Sequence, residues 1–506
     1  MPTEQHQPRL FDGFTGIQAG TTYEISRWLF LRCLGVIFLI AFLSLWVQVQ
    51  GLIGPEGILP VADFLSALRE QVGLERYWLV PTLFWVDSGR TALDLVEAGG
   101  VVAGLALIFD FWPQVALVLC WGLYLSLVSV GQDFLSFQWD SLLLEAGLLA
   151  LLIAPGQRSR PRQSVPGIGL VLLWFLLFRL LFESGAVKLT SGDPTWRHLT
   201  ALDYHFFTQP LPIWTAWYAN LLPEWAKAGG VVTTFVLELC APWLILLGRW
   251  PRRIAFVTTV LLQVMIGGTG NYTFFNLLTI TLALLLLDDA AWRKLLPRAL
   301  LRLIDSTQVE RTHGRLPGTL RAAVGVVLMV LALGSLLETL VSTPLVPGMD
   351  SALRMVAPFE SVNSYGLFRV MTTARQEIVV EGSEDGVTWK AYEFPDKPGD
   401  VTRRPGFVQP HQPRLDWQMW FAALGTFRAT PWFQGFLVRL LEGSPDVLAL
   451  LQENPFPGHP PRYVRAELYD YRFSTSAERQ ASGAWWVRTP AGSYSPTLAL
   501  KPSPPK

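Results

Sequence analysis

Cysteine is scarce in this chain: three in 506 residues, Cys33, Cys120 and Cys240, all within apolar stretches. None forms a C-x-x-C pair, which argues against thiol exchange and structural zinc, since both need paired thiolates. Packing as small buried apolar residues is the expected role. Charge is also short, at 16% of residues, against about 25% in an ordinary soluble domain. Lys+Arg and Asp+Glu stand equal at 40 each, so no basic surplus points to nucleic acid. The chain has no H-E-x-x-H, no phosphate-binding loop and no G-x-S-x-G elbow. Neither a metal nor a cofactor is expected.

What the chain does have is apolar length. Hydrophobic residues make up 51% and are concentrated in the first two-thirds, and there are 21 Trp, a residue favoured at the headgroup zone. A crossing helix needs about 20 apolar residues. Candidate spans fall at 28–49, 91–109, 112–130, 137–154, 167–187, 229–247, 253–269, 272–288 and 320–342, which predicts a polytopic α-helical membrane protein of about nine spans. The first run is long enough to span and follows a polar stretch, so no cleavable signal peptide is expected.

Orientation follows from basic residues, which stay on the cytoplasmic side. Arg158, Arg160 and Arg162, then Arg249, Arg252 and Arg253, then Arg293, Lys294, Arg298, Arg302, Arg311 and Arg315 all fall in loops of one parity. That parity makes 1–27 cytoplasmic, 28–345 the transmembrane domain and 346–506 a non-cytoplasmic domain. In the outer loops, 58–73 has apolar positions at helical spacing with charges opposite, suiting an amphipathic helix at the interface or on the soluble part.

The tail is different in kind. EIVVEGSEDGVTWKAYEF (377–394) is two β-rich runs around an Asp-Gly turn, a hairpin signal. A helical stretch at 431–454 is followed by strand-like alternation at 462–474 and 484–489. Together these predict a C-terminal β-rich, sandwich-like domain with a helical insert, ending in a disordered KPSPPK.

Ionisable residues inside apolar spans are costly and so mark candidate sites. Asp94 and Glu97 share a helix face. Arg179 and Glu183 stand at the four-residue ion-pair spacing, and with Asp140, Glu145 and Glu238 make up a polar intramembrane cluster. Two readings stand: the groups pair to fix helix packing, or they line a polar cavity open to the outer leaflet. Lys188, at the outer end of the fifth span beside Ser184, Gly185 and Ala186, is either a base at the edge of an apolar pocket or a side chain snorkelling to the headgroups. The next loop carries His198 and His205 among many aromatics, a weak metal signal without carboxylates at ligand spacing. Asn271 and Asn276 sit in a glycine-rich break where they can bond exposed backbone. Asn271 also opens an N-x-[ST] sequon too close to the bilayer for a glycan.

Several strings then resemble one family. SFQWDSLLLEAGLLALLIAP (136–155), SGAVKLTSGDPTWRHLTALDYHFFTQPLP (184–212), GTGNYTFFNLLTITLALLLLDD (268–289), RPGFVQPHQPRLDWQMWFAAL (404–424) and NPFPGHPPRYVRAELYDYRF (454–473) resemble the lipase maturation factor family, in order and across both parts. Animal members sit in the endoplasmic reticulum membrane and help certain secreted lipases fold and assemble. The resemblance implies a chaperone-like maturation factor, not an enzyme, with an exported protein client and membrane lipid as partners. The expected location is a prokaryotic plasma membrane, or the endoplasmic reticulum membrane if the source is eukaryotic. The membrane part is also similar to the group that includes vitamin K-dependent γ-glutamyl carboxylase, whose G-x-K-K-L stretch with following Asp and Trp supplies a catalytic lysine. Gly185, Lys188, Leu189, Asp193 and Trp196 match that outline, with Val187 in place of the first lysine and Thr190-Ser191-Gly192 inserted. The alternative this implies is a membrane enzyme using Lys188 as a base on a lipid- or quinone-like substrate.

Overall fold

In the computed structural model, which describes residues 21–155, 165, 167–306, 318–341 and 346–501, the apolar runs close their backbone hydrogen bonds as helices, the condition for lying in lipid. In chain order the main helices are α1 (Glu24–Trp46), α2 (Arg90–Ile108), α3 (Pro113–Val130), α4 (Gln138–Ala150), α5 (Gly167–Thr190), α6 (Glu224–Leu246), α7 (Arg249–Gly267), α8 (Phe275–Leu286), α9 (Gly318–Val341) and α10 (Arg414–Ala423). Among the described residues α1, α2, α3, α5, α6 and α9 are long and apolar enough to cross a membrane. A bent pair, α8 with Asp289–Leu295, raises six to seven.

The expected nine is therefore not reached by length and composition, for local reasons. α4 is helical for 13 residues before its 151–153 turn. α7 begins with Arg249, Arg252 and Arg253, which shorten its apolar stretch. α8 tightens at Leu284–Leu286 and the chain then turns by 114°. The basic residues at 158–162, 311 and 315, the boundary near 345 and most of KPSPPK lie outside the described residues.

The helices are tied at both ends. At one end the Arg252 guanidinium lies 3.7 Å over Trp174 and its Nε donates to Ile245 O at 2.7 Å. Trp174 Nε1 donates to Leu285 O at 2.8 Å, and the Ile25 N–H to Asp289 at 2.8 Å. At the other end, Ser44 and Gln48 of the first helical run reach the 411–414 segment. Small residues allow close crossings: a Cβ on Gly104 would lie 3.2 Å from Leu39 N. The amphipathic stretch forms helix Val61–Gln71, which buries Val61 and Leu65 in the protein core. Of the cysteines only Cys120 is buried; Cys33 is intermediate and Cys240 exposed. On the rim of an apolar bundle a small thiol needs no burial, which corrects the uniform expectation.

The tail folds as one antiparallel sheet, β1 (Arg375–Ser383), β2 (Lys390–Ala391), β3 (Tyr463–Phe473) and β4 (Trp486–Leu498), in the order β2-β1-β3-β4. The hairpin forms where expected. Asp385 accepts the Val387 and Thr388 N–H groups at 2.8 and 2.7 Å, and Gly386 takes φ +74°. A sandwich does not form, because helices cover the sheet instead of a second sheet: α10 packs on β1, and Pro431–Glu442 on β3. β3 buries opposite faces at its two ends. Val464 and Ala466 enter the main core with Phe433 and Phe436, while Tyr471 and Phe473 pack with Trp485, Trp486 and Trp217 of the 188–228 loop. The sheet is thus clasped between its own helices and a loop of the membrane part.

Within this domain Asp416 is 1% exposed and accepts the N–H groups of Asp396 and Lys397 at 2.9 and 2.7 Å. Burial, then the neighbouring Asp396 carboxylate, push its carboxyl up to about 7. With the folded pKa above the unfolded value of about 3.9, the folded state holds the extra proton. The contribution to stability is full below about pH 4 and lost as pH rises through about 7. Thermal unfolding in detergent should show the parent losing stability relative to Asp416→Asn between pH 4 and 8. Parallel profiles for the two proteins would contradict the assignment.

Candidate functional site

α5 carries three ionisable groups, Arg179, Glu183 and Lys188. At about 100° per residue, Arg179 and Glu183 share a face while Lys188 lies about half a turn from Arg179. The helix therefore serves two separate polar sites, and the single intramembrane cluster expected from the sequence divides into three.

The first lies between α4, α5 and the 361–365 segment. Arg179 pairs with Glu145 at 3.1 Å and with Glu183 at 3.3 Å, and donates to Asn363 O. Glu145 accepts from Asn363 N at 3.0 Å and the Tyr365 hydroxyl at 2.7 Å, and Glu183 from Tyr365 N at 2.8 Å. These charged side chains are 0–2% exposed. The second joins α4 to α10: Arg414 Nη1 and Nη2 each donate to one Asp140 oxygen at 2.9 Å, and Nη2 to Tyr124 at 3.2 Å. Tyr124 donates in turn to Asp140. A planar guanidinium meeting both carboxylate oxygens is the strong form of an ion pair. Glu97, buried in α2, has no hydrogen-bond partner for either oxygen.

The third is Lys188 with Glu238. Lys188 Nζ donates to both carboxylate oxygens, at 2.9 and 2.7 Å. α6 delivers Glu238 from a π-helical turn, Val236–Cys240, just before Pro242. Such widened turns re-aim side chains at sites. Gly185 permits the approach, since a Cβ there would sit 2.9 Å from Glu238 Cβ. The pair borders a cavity of about 410 Å³ reaching His205, Tyr272, Asn276 and Phe368. Trp196 lies 5.5 Å from Lys188 Nζ and donates to Phe368 O at 3.0 Å. Burial and then the Lys188 charge pull the His205 imidazole down to about 4, so the ring is neutral near pH 7.

The other outer-loop residues take structural places. Asp193 caps Pro194–Arg197 and accepts Met371 N at 2.6 Å. His198 is exposed and outside the cavity lining. Asn271 is 3% exposed, accepts from Val408 N at 2.8 Å and donates to Gly406 O at 3.0 Å. It is a tether for the tail, with no room for a glycan. Asn276 borders the cavity with neither amide atom bonded. Among the described residues no group of three or more His, Cys, Asp or Glu is placed to hold a metal.

The sequence reading missed Tyr124, Asn363, Tyr365 and Arg414. The one available signal was the position of Arg414 inside RPGFVQPHQPRLDWQMWFAAL, whose run of buried positions Arg414–Trp420 is that of a core helix. Chemically the arrangement binds and fixes. Arg179, Arg414 and Lys188 each have a carboxylate, and Lys188 Nζ is held by both oxygens of Glu238.

Comparison with known proteins places both parts. Residues 25–294 match the lipase maturation factor transmembrane domain and 361–496 the lipase maturation factor C-terminal domain. The chain is 37% identical to human lipase maturation factor 2, over 94% of this chain and 83% of that protein. It is 35% identical to bovine lipase maturation factor 1 over 96% and 90%, and 35% identical to the human protein of that name over 95% and 89%. No solved structure matches.

Proposed function

Because this chain belongs to the lipase maturation factor family, we propose that it is a membrane maturation factor assisting exported proteins, lipases among them, to fold and assemble. One observation carries the reading: likeness to the lipase maturation factors runs through both membrane and tail parts. The buried pairs Arg414–Asp140 and Arg179–Glu145 sit where those parts meet. A platform built this way presents the tail and the 188–228 loop together, as one surface, to a client. The carboxylase-like alternative gains no support from the relatives found, which are lipase maturation factors, and Lys188 is paired with Glu238. The test is deletion of the gene in its own cell, with specific activity measured for each exported lipase. Lipase polypeptide should still be exported but with activity per molecule reduced several-fold. Unchanged specific activity for every exported lipase would end the reading.

The proposed layout has nine crossings, a cytoplasmic N-terminus, a membrane domain over 28–345 and a non-cytoplasmic domain over 346–506, in a prokaryotic plasma membrane. Supporting it, Gln114 at the start of α3 bonds Ala154 O at 3.0 Å, so the 138–154 stretch returns along the full length of α3. Basic Arg252 and Arg253 gather at the end of the bundle where α1 begins, and the tail docks at the opposite end.

A further inference from the structure

The cavity beside Lys188 has a neighbour. A second cavity of about 380 Å³ lies between α7, α8 and the Phe407–Pro410 loop, and the two share Gln263, Gly268 and Asn276 in their walls. Each is within the range of about 300–1,000 Å³ that takes small ligands. The first lies between α6, which contributes Gly230 and Thr234, and α7, which contributes Gln263 and Ile266. The outer faces of these helices are bare and apolar: Val232, Val236, Leu261 and Val264 are 45–58% exposed, and Met265, which lines the cavity and so stands at its mouth, is 56% exposed. In a bilayer such faces meet acyl chains.

The polar groups at the shared wall are unusual. Asn276 is 5% exposed with both amide atoms unbonded, Gln263 lacks a partner for Oε1, and Thr273, lining the second cavity, lacks one for Oγ1. Buried polar atoms without partners are costly and rare in folded proteins. Charge, by contrast, is already balanced: Glu238 neutralises Lys188, and Asp203 neutralises Lys227 at 2.6 Å. An anionic headgroup would meet no spare cation there. An ester carbonyl and a hydroxyl would meet a donor and acceptors.

We propose that these paired cavities bind one neutral two-chain glycerolipid from the bilayer, an acyl chain in each and its ester and hydroxyl groups on Asn276, Gln263 and Thr273. Lipid binding here is independent of the proposed maturation role, because it requires no lipase.

The experiment uses the full chain in nanodiscs with a photoactivatable diacylglycerol carrying a diazirine on one acyl chain. Label should map to peptides of α6, α7 and α8. Unlabelled dioleoylglycerol should compete it away, whereas the anionic dioleoylphosphatidylglycerol at equal concentration should not. Thr234→Trp, which fills the first cavity, should cut labelling at least ten-fold, and Asn276→Leu several-fold, with unfolding temperatures near that of the parent. If Thr234→Trp does not fold, Met265→Trp at the exposed mouth replaces it. Equal competition by the anionic lipid, or parental labelling in the folded tryptophan variant, would overturn the proposal.

Discussion

Arg414→Met should destabilise the whole molecule by about 3–5 kcal/mol, the range found when one partner of a buried ion pair is removed. The reason is what remains. Asp140 is 0% exposed, between α3 and the tail helix, with Tyr124 as its other side-chain partner. A buried carboxylate stripped of its cation costs far more than the lost contact. Asp140→Leu/Arg414→Met separates this from lost packing, because it removes both charges and should recover most of the stability. Thermal unfolding and trypsin susceptibility in detergent read both effects. If the double variant is as unstable as the single one, the ion pair is not the source of the effect.

The second large effect is at Lys188. Lys188→Ala should cost about 3–5 kcal/mol by the same logic, leaving Glu238 at 8% side-chain exposure without its partner. Lys188→Met/Glu238→Leu should refold to near-parental stability, and lipase maturation should persist in it. That persistence decides the role: a catalytic base cannot be replaced by a thioether, whereas a packing pair can. A stable but inactive double variant would return the site to catalysis.

Much of this architecture was legible because its causes are local. Six of the apolar runs became helices able to cross, since about 20 uninterrupted apolar residues have few other solutions. The Asp385-Gly386 hairpin was legible because an αL glycine after an Asp-centred turn is short-range chemistry. The ionisable residues of the spans were found, and so was the Arg179–Glu183 pair within its helix, but the partners supplied by the tail were not. Glu145 and Tyr365 are 220 residues apart in sequence, and Asp140 and Arg414 are 274 apart. No periodicity encodes a contact of that span. The same limit explains the expected sandwich: β3 alternates as a strand facing two layers would, and the second layer proved to be helices on one side and the Trp217 loop on the other. Asn276 was legible as a polar residue at a break, and its lack of partners only in three dimensions.

What unites these observations is a tail held to the membrane helices by the buried Arg414–Asp140 pair and by the hydrogen bonds of Asn363 and Tyr365 to Arg179, Glu145 and Glu183, and not merely by the chain that joins them. A protease site placed between Ser342 and Leu345 tests this most directly. After complete cleavage in mild detergent, the fragment bearing Arg414 should stay bound to the helices through affinity purification and size exclusion. Its separation from an otherwise folded helical fragment under those conditions would contradict the account.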